Sequence, residues 1–125
     1  MRQSTLIAGK IGEDAAVSFL NRLKYHIVER NFRLRNGEID IIAIDPSTKP
    51  NTLVFIEVKT REGNKFGTPL ESITYFKLKY LIRTATVYSS FHPKLPQSLR
   101  IDAISVWLGV NGEVLDIEHT KNISQ

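Results

Sequence analysis

From Thr5 to about Lys24 apolar residues recur every three or four positions. Ile7, Ile11, Ala15, Ala16, Phe19, Leu20 and Leu23 form one stripe, the period of an amphipathic helix. Gly9 and Gly12 weaken its first turns. The period then shortens. Residues 25–34, with Ile27 and Val28 near the centre, read as a strand, and Asn36-Gly37 is the dipeptide favoured in a two-residue type I′ hairpin turn. Residues 38–45 form the next strand, stopped by Pro46, which cannot donate to a ladder. The turn-rich stretch from Pro46 to Asn51 leads into a third strand over 52–60, rich in Leu, Val, Phe and Ile. After a polar loop from Arg61 to Gly67, Thr68-Pro69-Leu70-Glu71 predicts the start of a second helix. Thr68 fits the N-cap, Pro69 the first helical position, and Glu71 completes a capping box. That helix runs to about Ser90 and turns Leu70, Ile73, Tyr80, Leu81, Thr84 and Tyr88 inward. Residues 99–107 and 114–119, joined across Asn111-Gly112, complete the order α-β-β-β-α-β-β. The fold class is α/β, an α+β arrangement on a mixed sheet, in a single domain over 1–125.

Within this apolar strand pattern, Gly37-Glu38-Ile39-Asp40 and Glu57-Val58-Lys59 introduce charge. A half-buried carboxylate costs several kcal/mol unless something offsets it. A hairpin closed over residues 46–51 sets Asp45 opposite Thr52 and Asp40 opposite Glu57, so both carboxylates lie at one end of neighbouring strands. Alternation puts Glu57 and Lys59 on the face of Leu53 and Phe55, and Asp40 on the face of Glu38, Ile42 and Ile44. Two such carboxylates repel unless a proton or a cation intervenes. Hard oxygen donors suit Mg²⁺ or Mn²⁺, and an ion there activates water and stabilises a phosphodiester under attack. Lys59 is placed to orient that water or neutralise a phosphate oxygen. The same registers offer a rival account without chemistry, in which Glu38 faces Lys59 and, through the Asn36-Gly37 turn, Arg33 faces Asp40. Spacing alone leaves both accounts open. Glu13, at the border of the first helix's stripe, is either a third acid for the site or a solvated helix charge. Lys77, inside the inward stripe of the second helix, either meets a phosphate or carboxylate there or reaches out to solvent.

Composition narrows the classes. A chain of 125 residues suffices for one core. It has no cysteine, which excludes disulfides, zinc–thiolate sites and thiol nucleophiles. No apolar run approaches the ~18 residues of a membrane span, and the N-terminal pattern is not that of a secretory signal, so the expected location is cytoplasmic. The net charge of +4 is a mild nucleic-acid signal. Its distribution says more, with Arg22, Lys24, Arg30, Arg33 and Arg35 in one group and Lys59, Arg61, Lys65, Lys77, Lys79 and Arg83 in another. His26, His92 and His119 have no ligand spacing, and neither a nucleophile elbow nor a phosphate-binding glycine loop is present. Arg100 and Asp102 share a strand face and are expected to pair and brace the sheet.

Taken in order, Gly9 and Gly12-Glu13, Arg30-Asn31-Phe32-Arg33, Gly37-Glu38-Ile39-Asp40-Ile41-Ile42-Ala43, Val54-Phe55-Ile56-Glu57-Val58-Lys59-Thr60-Arg61, Phe66-Gly67 with Pro69, Lys77, and Arg100-Ile101-Asp102 resemble the YraN family of small bacterial proteins. That family is similar to archaeal Holliday junction resolvases and to the restriction-endonuclease-like, PD-(D/E)xK, nucleases. The resemblance covers residues from about Ala8 to Val106. It implies an α-β-β-β-α-β core, here with an extra C-terminal strand. It also implies Asp40 and Glu57 as ligands of Mg²⁺ or Mn²⁺, Lys59 as the catalytic lysine and Glu13 as an accessory acid. Position 39 is Ile where the superfamily name has Pro, a departure shared by resolvase-like members. The expected function is metal-dependent endonucleolytic cleavage of DNA, in branched, flapped or single-stranded form, with Arg30, Arg33, Arg35, Arg61 and Lys77 on the nucleic acid. The alternatives are a non-catalytic nucleic-acid-binding module of the same fold, and an interaction protein whose strand carboxylates are ion pairs. Because resolvase relatives cut two strands, a homodimer is an open expectation.

Overall fold

The strands over 52–62 and 98–108 read as nearly continuous apolar runs because both of their faces are covered. The computed structural model describes residues 2–35, 37–62 and 73–124. The elements, in chain order, are α1 (Arg2–Arg22), β1 (His26–Leu34), β2 (Gly37–Asp45), β3 (Thr52–Glu62), α2 (Tyr75–Ser90), β4 (Ser98–Leu108) and β5 (Val114–Thr120). The five strands make one sheet in the order β1-β2-β3-β4-β5. Only β3 and β4 pair in parallel, with α2 as the crossover between them. This is the mixed-sheet core expected of a restriction-endonuclease-like fold, with β5 as the additional strand.

Alternation along β3 splits the core in two. Val54 and Ile56 pack with Ile41, Ala43, Ile104 and Val106 beneath Ala16 and Leu20 of α1. Leu53 and Phe55 pack with Ile42, Ile101 and Ala103 against Leu81, Ala85 and Tyr88 of α2. Gly12 lets α1 approach closely, since a Cβ there would collide with the Thr60 hydroxyl of β3. That contact brings the N-terminal half of α1 over the charged end of β3.

Several local expectations are corrected. Leu34 pairs with Gly37 and Arg33 with Glu38, so Gly37 belongs to the β1–β2 ladder rather than to the turn, and Arg33 does not face Asp40. Gly37 instead lies inside β2, where a Cβ would strike the Tyr80 ring. The helix ending at Ser90 starts at Tyr75, with Thr74 as its cap accepting a hydrogen bond from the Lys77 amide at 3.1 Å. The predicted start at Thr68-Pro69-Leu70-Glu71 lies outside the described residues. Arg61 and Glu62 extend β3 rather than opening a loop. Ile7 and Leu23, assigned to the apolar stripe of α1, are exposed at its two ends. Among the described residues no helix is long and apolar enough to cross a membrane.

The far end of the sheet carries a closed charge network. Arg100 bonds both oxygens of Asp102 at 2.9 and 3.0 Å and lies 2.9 Å from Asp45. Tyr25 donates to Asp45 at 3.0 Å, and His119 Nε2 lies 2.8 Å from Asp102. Arg100 and Asp102 thus brace the sheet, as their shared face predicts.

Candidate active site

The β2–β3 ladder runs from Asp45 opposite Thr52 to Ile41 opposite Ile56, the register that the proline-bounded loop predicts. Beyond Ile41 no further β2–β3 partners are made among the described residues, although β3 continues beside β4 as far as Glu62 opposite Leu108. The two strands therefore part just where Asp40 and Glu57 follow. Separation leaves backbone donors without ladder partners. The Val58 amide is satisfied by the Asp40 carboxylate, donating to Oδ2 at 2.8 Å.

Asp40 and Glu57 are held from opposite sides of the sheet. Strict alternation fails on β2, where Ile39 packs with Ile42 on the α2 side. Asp40 and Glu38 line a cavity of about 640 Å³ under α1 together with Glu13, Thr60 and Glu62. The expectation that Asp40 shares a face with Ile42 and Ile44 is corrected accordingly. Glu57 does not line this cavity. It is 5% exposed and its Oε2 lies 3.3 Å from Lys59 Nζ and 3.4 Å from Lys77 Nζ. Lys77 therefore reaches in from α2 to a carboxylate.

Burial pushes the Asp40 carboxyl up to about 7, opposed by the Val58 N–H and reinforced by the nearby charges of Glu57, Glu38 and Glu13. A cation would reverse that balance. Glu13 comes to the cavity from α1, where its Oε1 accepts from Arg30 at 2.8 and 3.0 Å and from Asn31 at 3.1 Å. Arg30 also bonds Asp14 at 2.6 Å, so this guanidinium is engaged with two acids. Arg33 is exposed and forms an ion pair with Glu38, Nε to Oε2 2.8 Å, without hydrogen-bond geometry. The rival pairs Glu38–Lys59 and Arg33–Asp40 do not form among the described residues: Glu38 takes Arg33, and Asp40 takes a backbone amide. Arg33 and Arg35 join Lys77 along a second groove of about 350 Å³ between the β1–β2 hairpin and α2. Arg61 is half-buried near the end of β3, its Nε without a hydrogen-bond partner among the described residues.

Among the described residues no three His, Asp or Glu side chains are arranged to hold a metal ion. The oxygens present are of the hard type that Mg²⁺ and Mn²⁺ prefer. The proton affinity of Asp40 is raised first by burial, and the charges of Glu57, Glu38 and Glu13 add a smaller field that favours positive charge there. The donor types and charge fit such a group. Sequence reasoning missed Glu62 and Asn31, since a β3 ending at Thr60 stops short of one and nothing in the pattern around Asn31 announces its left-handed backbone, φ 55°.

Comparison with known proteins supplies the kinship. The model of a family described as "Uncharacterised protein family UPF0102" matches residues 12–106. The chain belongs to the UPF0102 family, the YraN family of the sequence resemblance. A UPF0102 protein of Caldicellulosiruptor saccharolyticus is 44% identical over 91% of this chain and 93% of its own length. One from Chlorobium phaeobacteroides is 43% identical over 91% and 90%, and one from Geobacter metallireducens 40% identical over 91% and 88%. The matched residues 12–106 take in Glu13, both carboxylate strands, Lys77 and the Arg100–Asp102 pair, so the UPF0102 match contains all the site residues discussed above.

Proposed function

We propose that this UPF0102 protein is a Mg²⁺- or Mn²⁺-dependent endonuclease acting on DNA. The observation that carries the reading is the parting of β2 and β3 at Asp40 and Glu57, where a half-buried Asp40 carboxyl feels the charge of a buried Glu57 at the margin of the core. Asp40 and Glu57 would hold the ion, which supplies Lewis-acid stabilisation of a phosphoryl oxygen and lowers the pKa of water. Asp40 is oriented by the Val58 amide, which fixes one oxygen and leaves the other for ligation. Lys59 and Lys77 neutralise Glu57 in the free protein. Once an ion takes that role, they are placed to meet the non-bridging oxygens of a scissile phosphate. Arg33, Arg35 and Arg61 would hold the flanking backbone, while Arg30 positions Glu13. The similarity to resolvase-like nucleases supports the same assignment, and a cytoplasmic homodimer cutting paired strands extends it.

A second reading has its own observation. Glu57 already has two lysines and Glu13 already has Arg30 and Asn31, which suits a binding module that keeps the fold and charge without turnover. A cleavage panel of branched, flapped, single-stranded and duplex DNA with Mg²⁺ and Mn²⁺ separates the two. The nuclease reading expects metal-dependent nicking in the wild type, reduced at least ~100-fold by Asp40→Ala or Glu57→Ala, in line with loss of a group stabilising transition-state charge. Salt-sensitive binding with no cleavage in either metal would leave the module.

A further inference from the structure

The outward face of α2 carries chemistry that the site has not used. Tyr75 and Phe76 open the helix and are 67% and 80% exposed. Their ring centroids lie 5.7 Å apart with planes inclined at 74°, and Lys79 Nζ lies 5.3 Å from the centre of the Tyr75 ring. Phe76, Lys79 and Arg83 stand at spacings of three and seven along the helix, on one face, and both cations are exposed. The helix contains Lys77, Lys79 and Arg83 and no acidic residue. Lys79 and Arg83 are like charges four apart, a pairing that costs an isolated helix a few tenths of a kcal/mol. An aromatic ring held in water beside cations without helical counter-charges calls for a partner both aromatic and anionic. A nucleotide is such a partner, because each base offers a π-face next to a phosphate. The position agrees: the next residue, Lys77, reaches Glu57 at 3.4 Å.

We infer that Phe76, braced by Tyr75 and flanked by Lys79 and Arg83, is a stacking platform for an unpaired base beside the scissile phosphate. The substrate is accordingly DNA with single-stranded character, a flap or splayed arm, in preference to a closed duplex. In a duplex the base faces are already stacked on their neighbours, so the platform has nothing to receive. The inference rests on the endonuclease reading and narrows its substrate.

The test measures binding rather than cleavage. Fluorescence anisotropy of the full chain in EDTA compares a labelled single strand with a blunt duplex of the same sequence. The wild type is expected to favour the single strand. Phe76→Ala should weaken single-strand binding by roughly 5- to 100-fold, the range of one lost base–aromatic stack, and leave duplex binding unchanged. Phe76→Trp should restore the preference, and circular dichroism checks that the variants fold. Equal affinities of wild type and Phe76→Ala for the single strand would overturn the platform, even with Mn²⁺-dependent cleavage intact. A wild-type dimer in light scattering that Phe76→Ala dissociates would also overturn it, by making this face a self-association surface. Failure of the wild type to bind either form would overturn the platform, while the endonuclease reading stands or falls separately on the cleavage panel with Mg²⁺ and Mn²⁺.

Discussion

At Asp40, burial and the charges of Glu57, Glu38 and Glu13 favour the neutral acid, and the Val58 N–H favours the anion. The balance has a consequence for stability. The folded value, about 7, lies above the ordinary aspartate value of 3.8, so the folded chain binds this proton more tightly than the unfolded chain. The stabilisation is complete below the unfolded value and is lost as pH rises through about 7. Asp40→Asn keeps an oxygen for the Val58 amide and removes the charge. In metal-free buffer at pH 8 the variant should be the more stable by on the order of 2–4 kcal/mol, with the gap closing toward pH 4. Thermal melts across that range check it, and equal stability at pH 8 would contradict the electrostatic account. Glu57, itself buried, is held by direct ion pairs with Lys59 and Lys77.

Among the elements, β2 and β3 were legible because the alternation of apolar residues and the two prolines of the loop fix one register, Asp45 opposite Thr52. The β1–β2 turn was misread for a physical reason. Asn-Gly is favoured where two residues need positive φ, but Gly37 pairs with Leu34 inside β2 and serves the approach of Tyr80. The side on which Asp40 emerges was equally hidden, because alternation breaks between the Arg30–Ile41 and Phe32–Ile39 pairs, where the backbone of Asn31 is left-handed. The described helix begins after the Thr74 cap, whose side chain the sequence pattern did not single out, and the predicted start at Thr68 lies outside the described residues. Arg100 and Asp102 were read correctly as a brace, but their partners Asp45, Tyr25 and His119 are distant in sequence and only the fold joins them. Burial raises the affinity of Asp102 for a proton, yet His119, Arg100 and the Asn122 amide outweigh it and hold the carboxyl below its usual value. Asp45 is lowered too, by Ser47, Arg100 and Tyr25 against the effect of burial. Both therefore contribute stability above pH ~4 that is lost on acidification. Arg100→Met should destabilise by about 3–5 kcal/mol at neutral pH, the cost of stranding buried partners of a charge network, and by less near pH 3. Denaturant titrations at the two pH values measure this, and an equal loss at both would point to packing instead.

On the scale of the whole molecule, the sheet has one end whose charges are closed on one another and one where two strands part. Charges at the Arg100 end satisfy one another, which closes that end chemically. At the opposite end β2 leaves β3, and each helix contributes across its own face: α1 brings Glu13 and the cavity, α2 brings Lys77 and the groove of Arg33 and Arg35. Asp40, with no cation bonded to it among the described residues, therefore sits at the end that carries an acidic cavity on one face and a basic groove on the other. The central claim is that Asp40 and Glu57 together take up a divalent cation at this end. Isothermal titration of Mn²⁺ into the metal-free protein near pH 7, repeated in buffers of different ionisation enthalpy, tests it most directly. The account predicts a single ion per chain and release of a fraction of a proton from Asp40 as it binds, with both lost in Asp40→Asn and binding weakened in Glu57→Gln. Absence of binding, or binding that releases no proton and is indifferent to Asp40→Asn, would contradict it.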